Sequence, residues 1–247
     1  MMRQLLMLSA CLLAAACSAE DERTQPNVLL ILADDVGTEV IGAYGGRSYD
    51  TPNIDALAAS GMRFNHAYSA PVCSPSRVKI MTGRYGFRTG QTWGYLPDDE
   101  ITFGHVLKQA GYEVAIAVTW QMKLLAEEPG HIRRMGFDES SVFGWHEGPR
   151  YYQPLIYDNG VVRRDVEDRY GPDVFNEFLI DFIRRNQDRP FFAYYSMVLA
   201  HDISNDLDEP PPFGPKGRYE TYKENIEYAD MLIGKVVDEL AALGLLD

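Results

Sequence analysis

The chain reads as an α/β fold, a mainly parallel sheet flanked by helices. Residues 27–33, 112–118 and 191–199 are apolar runs of strand length. Uninterrupted apolar runs mark strands buried on both faces of a parallel sheet. Helical patterns with cap residues lie between these runs, so crossovers rather than hairpins join the strands.

Residues 27–33 form the first strand, and Asp34 and Asp35 follow it directly. Residues 51–61 form a short helix that Thr51 caps, Pro52 opens and Gly61 closes, with Ile54, Leu57 and Ala58 turned inward. Residues 62–68 alternate in polarity as a strand does, and His66 within them reads as a structural histidine. A second helix follows: Ser74 or its neighbour caps it, Pro75 takes the first position and Gly83 stops it. Residues 102–111 form a capped helix with Phe103, Val106, Leu107 and Ala110 inward, leading into the strand at 112–118. Gly136-Phe137-Asp138-Glu139 and Arg150-Tyr151-Tyr152-Gln153-Pro154 read as loops over the carboxyl edge of the sheet. Asp173 caps a helix reaching Asn186, with Val174, Phe178 and Phe182 inward, and Pro190 opens the strand at 191–199. Residues 203–218, rich in Pro, Gly and Asp, read as a long surface loop. Residues 222–243 keep a helical period through Ile226, Ala229, Ile233, Val236, Val237, Leu240 and Leu243, and Gly244 closes that helix.

The 247 residues are 46% hydrophobic and 24% charged, an ordinary globular composition. A net charge of −13 repels polyanions and argues against a nucleic-acid partner, so any anion site must be locally basic. Arg3 precedes an apolar stretch at residues 5–16, too short to span a bilayer, and residues 1–16 read as a signal peptide. Leu13-Ala14-Ala15-Ala16-Cys17 resembles a lipoprotein cleavage box, with Cys17 the lipidated residue and residues 17–25 a polar tether; plain secretion is the alternative. On this reading the protein sits in the bacterial periplasm or cell envelope and touches membrane only through a lipid anchor. Residues 26–247 form the folded domain. Cys11 leaves with the signal segment and Cys17 is acylated, so Cys73 remains as a lone thiol in an oxidising compartment.

Ligands of open α/β sheets collect at the carboxyl ends of strands, where Asp34 and Asp35 stand. Two adjacent carboxylates repel unless a cation or donors compensate, and their oxygens suit calcium or magnesium; a plain acidic turn is the structural alternative. Cys73 lies at a helix start, where free N–H groups and a partial positive charge favour an anion. Arg77 adds a planar fork that matches phosphate or sulfate oxygens. His201 follows the strand at 191–199 on the same rim, placed to protonate a leaving alcohol or bind an oxyanion, with a capping role as the alternative.

Cys73-Ser74-Pro75-Ser76-Arg77 with Thr82-Gly83 resembles the signature of the type I, formylglycine-dependent sulfatases of the alkaline-phosphatase-like superfamily. Asp34-Asp35 after the first strand, Thr51-Pro52-Asn53-Ile54-Asp55, Trp120-Gln121 and the Met197-Val198-Leu199 run before His201 are similar to segments of that family. The resemblance implies the N-terminal domain of such a sulfatase, hydrolysing a small-molecule or carbohydrate sulfate ester. It implies a maturation enzyme that converts Cys73 to formylglycine. It assigns Cys73, Arg77 and His201 to catalysis, Asp34, Asp35 and Cys73 to a Ca2+ (or Mg2+) site, and Gln121 to substrate binding.

The chain departs from the family pattern in two places. Thr119 stands where the family has a Lys, and Lys123 nearby reads as a surface lysine. The family's strand ending in Asp-Asn-Gly, which completes the metal site, has no counterpart before Asp247, so the domain is expected to be incomplete at its C-terminus. Two alternatives therefore stand beside the sulfatase reading. One is a truncated, catalytically impaired homologue that at most binds an anion; the other is a phosphoester or phosphonate hydrolase of the same superfamily.

Overall fold

The protein is described here by a computed structural model covering residues 25–89, 95–144, 147–201 and 222–246. The signal segment, Cys17, the tether up to residue 24 and the loop at 203–218 lie outside the described residues. Six strands form one sheet: β1 (Val28–Leu32), β2 (Glu113–Thr119), β3 (Glu139–Phe143), β4 (Ile156–Asp158), β5 (Val161–Val162) and β6 (Phe191–Ser196), in the order β1-β6-β2-β3-β4-β5. The first four in that order are parallel, and β4 and β5 continue antiparallel. Five helices flank the sheet: α1 (Pro52–Ser60), α2 (Cys73–Thr82), α3 (Phe103–Gln109), α4 (Gly171–Arg185) and α5 (Tyr222–Ala242). Two single α-helical turns, Gly86–Thr89 and His131–Arg134, and two 3-10 turns, Thr38–Val40 and Gly42–Tyr44, complete the described helices.

The sheet is a middle layer because β2 and β6 bury both faces. β1, expected as a fully buried central strand, is instead the edge strand of the described sheet and only half-buried throughout, since a single neighbour, β6, pairs with it. Along β2, Ala115 and Ala117 face a core built with Phe175, Leu179 and Phe182 of α4 and Leu232, Ile233 and Val236 of α5. Val114 and Ile116 face the other way, into a core with Val78 and Met81 of α2, Trp120 and Phe137. Phe103 of α3 closes that second layer with its ring edge-on to Phe137, Phe192 and Tyr194. Each such large side chain taken fully out of water contributes about 1.5–3 kcal/mol.

Several local expectations change. Glu139, read as loop, opens the parallel strand β3 beside β2, and Phe137 just before it is a core residue. The run at 62–68 is not a strand: Met62, Phe64 and Tyr68 are exposed, as is His66, and they have no partner strand among the described residues. Leu57, Val106 and Ala110 face outward, because short helices turn only a narrow stripe to their packing partners, α5 for α1 and the sheet for α3. Thr51 stands at the start of α1 without capping it; its hydroxyl accepts from the Gly42 amide and donates to Asp55. Asp230 of α5 caps α1 instead, accepting from the Asn53 and Ile54 amides at 3.1 and 2.8 Å. Asp173 lies in the first turn of α4 behind an N-cap at Tyr170, and its carboxylate accepts from the Tyr228 hydroxyl rather than from the helix.

Candidate active site

Parallel strands send their carboxyl ends to one edge, and three of them carry polar groups there. β1 runs into Asp34 and Asp35, β2 ends at Thr119 and continues to Gln121, and β6 ends at Ser196 and leads to His201. The backbone at this edge is strained: Asp35 and Gln121 have φ of 54° and Val118 has φ of 88°. Left-handed conformations at non-glycine residues cost on the order of 1–3 kcal/mol each and persist only where surrounding packing holds them.

A cleft of about 360 Å³ opens between the end of β1 and the start of α2, lined among others by Asp34, Asp35, Cys73, Ser76 and Arg77. Cys73 is the first residue of α2, with Val72 as N-cap and no side-chain cap. Pro75 therefore falls two places inside the helix rather than at its start. Gly83 stops the helix as expected, at φ 64°. The Cys73 thiol is half-buried, and burial, followed by the Asp34 charge, pushes its pKa up against the opposing pull of the Ser74 amide and Arg77. The unmodified thiol is thus protonated at neutral pH.

Arg77, one turn on from Cys73, ties three strands together. Its Nη2 donates to Asp34 Oδ2 at 3.0 Å beyond β1. Its Nη1 donates to the Ser196 hydroxyl of β6 and to the Thr119 carbonyl of β2 at 3.5 Å. His201 joins from the end of β6: Nε2 lies 3.7 Å from Asp35 Oδ2, and Nδ1 lies 2.8 Å from Arg150 Nη1. The Tyr222 hydroxyl donates to the Asp35 carbonyl at 2.8 Å, so α5 also steadies this rim.

The sulfatase sequence model matches residues 26–247. The chain belongs to the sulfatase family. An N-acetylglucosamine-6-O-sulfatase of Bacteroides thetaiotaomicron is 34% identical over 203 residues, covering 80% of this chain and 35% of the relative. An N-acetylgalactosamine-6-sulfatase of Canis lupus familiaris is 34% identical over 279 residues, covering 98% of this chain and 51% of the relative. The crystal structure of Ps i-CgsB in complex with k-i-k-neocarrahexaose shares the fold with a TM-score of 0.75 at 27% identity, covering 91% of this chain and 56% of that one. This sulfatase-family chain thus spans about half, or less, of the length of the curated relatives it matches.

Within this sulfatase-family site, Asp34, Asp35, Cys73 and Arg77 share one cleft, and Asp35 links it to His201. Gln121 does not line that cleft. Its side chain is buried with Oε1 unpartnered, and its carbonyl accepts from the Ser74 hydroxyl at 3.0 Å, which seats the start of α2. Thr119 is buried, and its hydroxyl has no partner. Lys123 is held away from the cleft by Glu128 at 2.7 Å and Asp98 at 3.5 Å. Sequence reasoning missed Ser196 and Arg150. Ser196 was visible only as a lone hydroxyl ending an apolar run, and Arg150 only as the cation of an aromatic loop.

For a metal, the chemistry of the donors fits better than their number. Asp34 and Asp35 offer hard carboxylate oxygens of the type that Ca2+ and Mg2+ prefer. Among the described residues, however, no third His, Cys, Asp or Glu joins a metal-binding group. Asp34 is also engaged by Arg77. The described residues supply one side of a hard-cation site, not a full coordination sphere.

Proposed function

We propose that the chain is the nucleophile-bearing part of a sulfatase that hydrolyses a sulfate ester, with Cys73 converted to formylglycine. The observation that carries this reading is the placement of Cys73 at the first turn of α2, facing the same cleft as Asp34 and Arg77. Formylglycine, once formed by a maturation enzyme, supplies a hydrated aldehyde oxygen as the nucleophile toward sulfur. Arg77 holds positive charge next to that position, and the free N–H groups of α2 add to it, so the negative sulfate oxygens are stabilised as the S–O bond breaks. His201 Nε2–H donates a hydrogen bond to the departing alkoxide oxygen, which takes its proton from water. Asp34 and Asp35 would supply oxygen ligands to Ca2+ or Mg2+, with the remaining ligands from outside the described residues.

The substrate class we propose is a sulfated carbohydrate, in keeping with relatives named for N-acetylglucosamine-6-O-sulfate and N-acetylgalactosamine-6-sulfate hydrolysis. Lipidation at Cys17 and residence in the periplasm or cell envelope belong to the same proposal. A second reading, anion binding without turnover, draws on Thr119: an uncharged buried residue stands where the resemblance implies a lysine. That loss removes a charge from the electrostatic stabilisation that is often the largest contribution to catalysis.

The test is to produce the chain together with a formylglycine-generating enzyme and assay it on an aryl sulfate and a sulfated amino sugar in excess calcium. The expected result is a Cys73 peptide with the aldehyde mass and turnover that Cys73→Ala and chelator both abolish. Aldehyde formation without turnover on either substrate supports the second reading. Turnover that survives Cys73→Ala overturns both.

A further inference from the structure

We propose that Arg150 is a positioning residue that fixes His201 as an Nε2–H donor facing Asp35. The proposal rests on the reading of His201 as the hydrogen-bond donor to the leaving oxygen. Its geometry is independent of that reading.

Arginine carries only donors and stays charged. A guanidinium nitrogen 2.8 Å from His201 Nδ1 can make a hydrogen bond only if Nδ1 presents its lone pair. A neutral His201 then carries its single proton on Nε2, the nitrogen on the Asp35 side at 3.7 Å. A proton on Nδ1 would set two N–H groups against each other and leave Nε2 with nothing to donate. Arg150 thus selects the tautomer whose proton faces the cleft rim.

Arg150 itself is firmly held. It is buried, and its guanidinium lies over the Phe143 ring at 5.3 Å, at the end of β3. Such a cation over an aromatic face orients the fork without consuming its donors. The backbone of the same segment is pinned to α4: the Gly171 amide donates to the Tyr151 carbonyl at 2.7 Å, and a Cβ at Gly171 would stand 2.2 Å from the Arg150 carbonyl oxygen. Only glycine allows that approach. The next residue, Tyr151, donates its hydroxyl to the His201 carbonyl at 2.5 Å and the Val198 carbonyl at 3.3 Å. Two consecutive side chains therefore hold His201, one by its ring and one by its backbone. Charge alone would not require this arrangement; a ring that must present one defined nitrogen does.

The experiment is long-range proton–nitrogen NMR on the full chain with labelled histidine, at a pH where His201 is neutral. In the parent chain His201 is expected to show one protonated nitrogen at Nε2 and one bare nitrogen at Nδ1, without averaging. Arg150→Met, which keeps length and apolar packing but removes every donor, should move both nitrogen signals toward averaged values. Arg150→Lys should restore the parent pattern. The signals of buried His131, in the separate helical turn His131–Arg134, report whether a variant is folded. Nδ1 protonation in the parent chain overturns the proposal even if Arg150→Met fails to fold, and so does a folded Arg150→Met with unchanged His201 signals. These readouts need no turnover, so they stand apart from failure of the sulfatase reading. Where the matured chain turns over, Arg150→Met should lower kcat by about tenfold with KM within about threefold, short of the roughly 10²–10⁴ that general acid–base catalysis contributes, because His201 itself is kept. A rise in KM alone would overturn the assignment.

Discussion

Arg77 and Asp34 form a buried ion pair across the cleft, Nη2 to Oδ2 at 3.0 Å, with side chains only 1% and 8% exposed. The pair connects the first turns of α2 to the end of β1, and through Nη1 it reaches β6 and β2 as well. The guanidinium beside Cys73 is therefore also a structural tie between the three strands that deliver the site. Its planar fork makes this possible; an ammonium offers one point charge in place of several directed donors.

Removing one partner of a buried pair leaves an uncompensated charge, which typically costs about 3–5 kcal/mol. Arg77→Met is expected to lose stability in that range in urea unfolding with chelator present. Arg77→Lys should lose less, because charge is kept while the Ser196 and Thr119 contacts are not. Adding Asp34→Asn to Arg77→Met should recover part of the loss, since no charge is then stranded. A loss below about 1 kcal/mol for Arg77→Met would place the pair among solvated contacts of little worth.

Thr119 gives the opposite sign. Its hydroxyl is buried and has no partner, and an unsatisfied buried polar group costs about 1–3 kcal/mol. Thr119→Val keeps the β-branched shape on the buried strand β2 and removes the orphan hydroxyl. It should be neutral or should raise stability by up to about 1 kcal/mol, below that full cost because the methyl fills the same space without gaining a partner. Thermal unfolding checks this, and a clear drop in Tm would mean that the hydroxyl is bonded in solution.

What the sequence made legible follows from how each signal is encoded. β1, β2 and β6 are continuous apolar runs, and α5 holds one period over 21 residues, so each announces itself locally. β3 does not, because Ser140 and Ser141 interrupt its apolar character although both are buried. β4 and β5, of three and two residues, are too short for any periodicity. The run at 62–68 has the right alternation but lies exposed among the described residues, and alternation alone does not make a strand without a partner. The site divides in the same way. Cys73 and Arg77 are readable as a local motif, whereas the contacts that orient the site join residues 119 positions apart for Arg77–Ser196 and 51 for Arg150–His201.

The same distinction between local and distant caps gives a prediction at α1. Thr51 looks like its cap in sequence, but Asp230 accepts from the Asn53 amide, the Ile54 amide and Asn53 Nδ2, the last at 2.7 Å. Asp230→Ala should cost about 2–3 kcal/mol, combining a lost cap with lost charge-assisted hydrogen bonds. Asp230→Asn, which keeps an acceptor, should cost about half of that by the same reasoning. Thr51→Ala should leave α1 capped and change its amide exchange little. Hydrogen exchange at Asn53 and Ile54 distinguishes the two caps, and faster exchange in Thr51→Ala than in Asp230→Ala would reverse the assignment.

His131 makes stability pH-dependent. It is fully buried; its Nδ1 accepts from Trp120 Nε1 at 3.2 Å, and its Nε2 lies 3.3 Å from Asp98 Oδ1 without hydrogen-bond alignment. Burial brings its pKa down to about 4, against the upward pull of Asp98 and with a further downward push from Lys123 and Arg134. The unfolded chain takes up this proton near pH 6.5, while the folded chain resists it until about pH 4. Proton uptake therefore favours the unfolded state throughout that window. The stability contributed by the neutral ring is complete above pH 6.5 and is lost as pH falls through 4, and at roughly 1.36 kcal/mol per pKa unit it amounts to about 3 kcal/mol. Lys123→Met removes one of the two cations lowering this pKa, so it should raise the folded pKa and shrink the loss only slightly, because burial dominates. His131→Gln keeps an acceptor for Trp120 but has no titrating ring, so its unfolding free energy should vary less between pH 7 and pH 4 than that of the parent chain. Urea midpoints at both pH values measure the difference, and parallel pH profiles for the two proteins would show that His131 is not the group responsible.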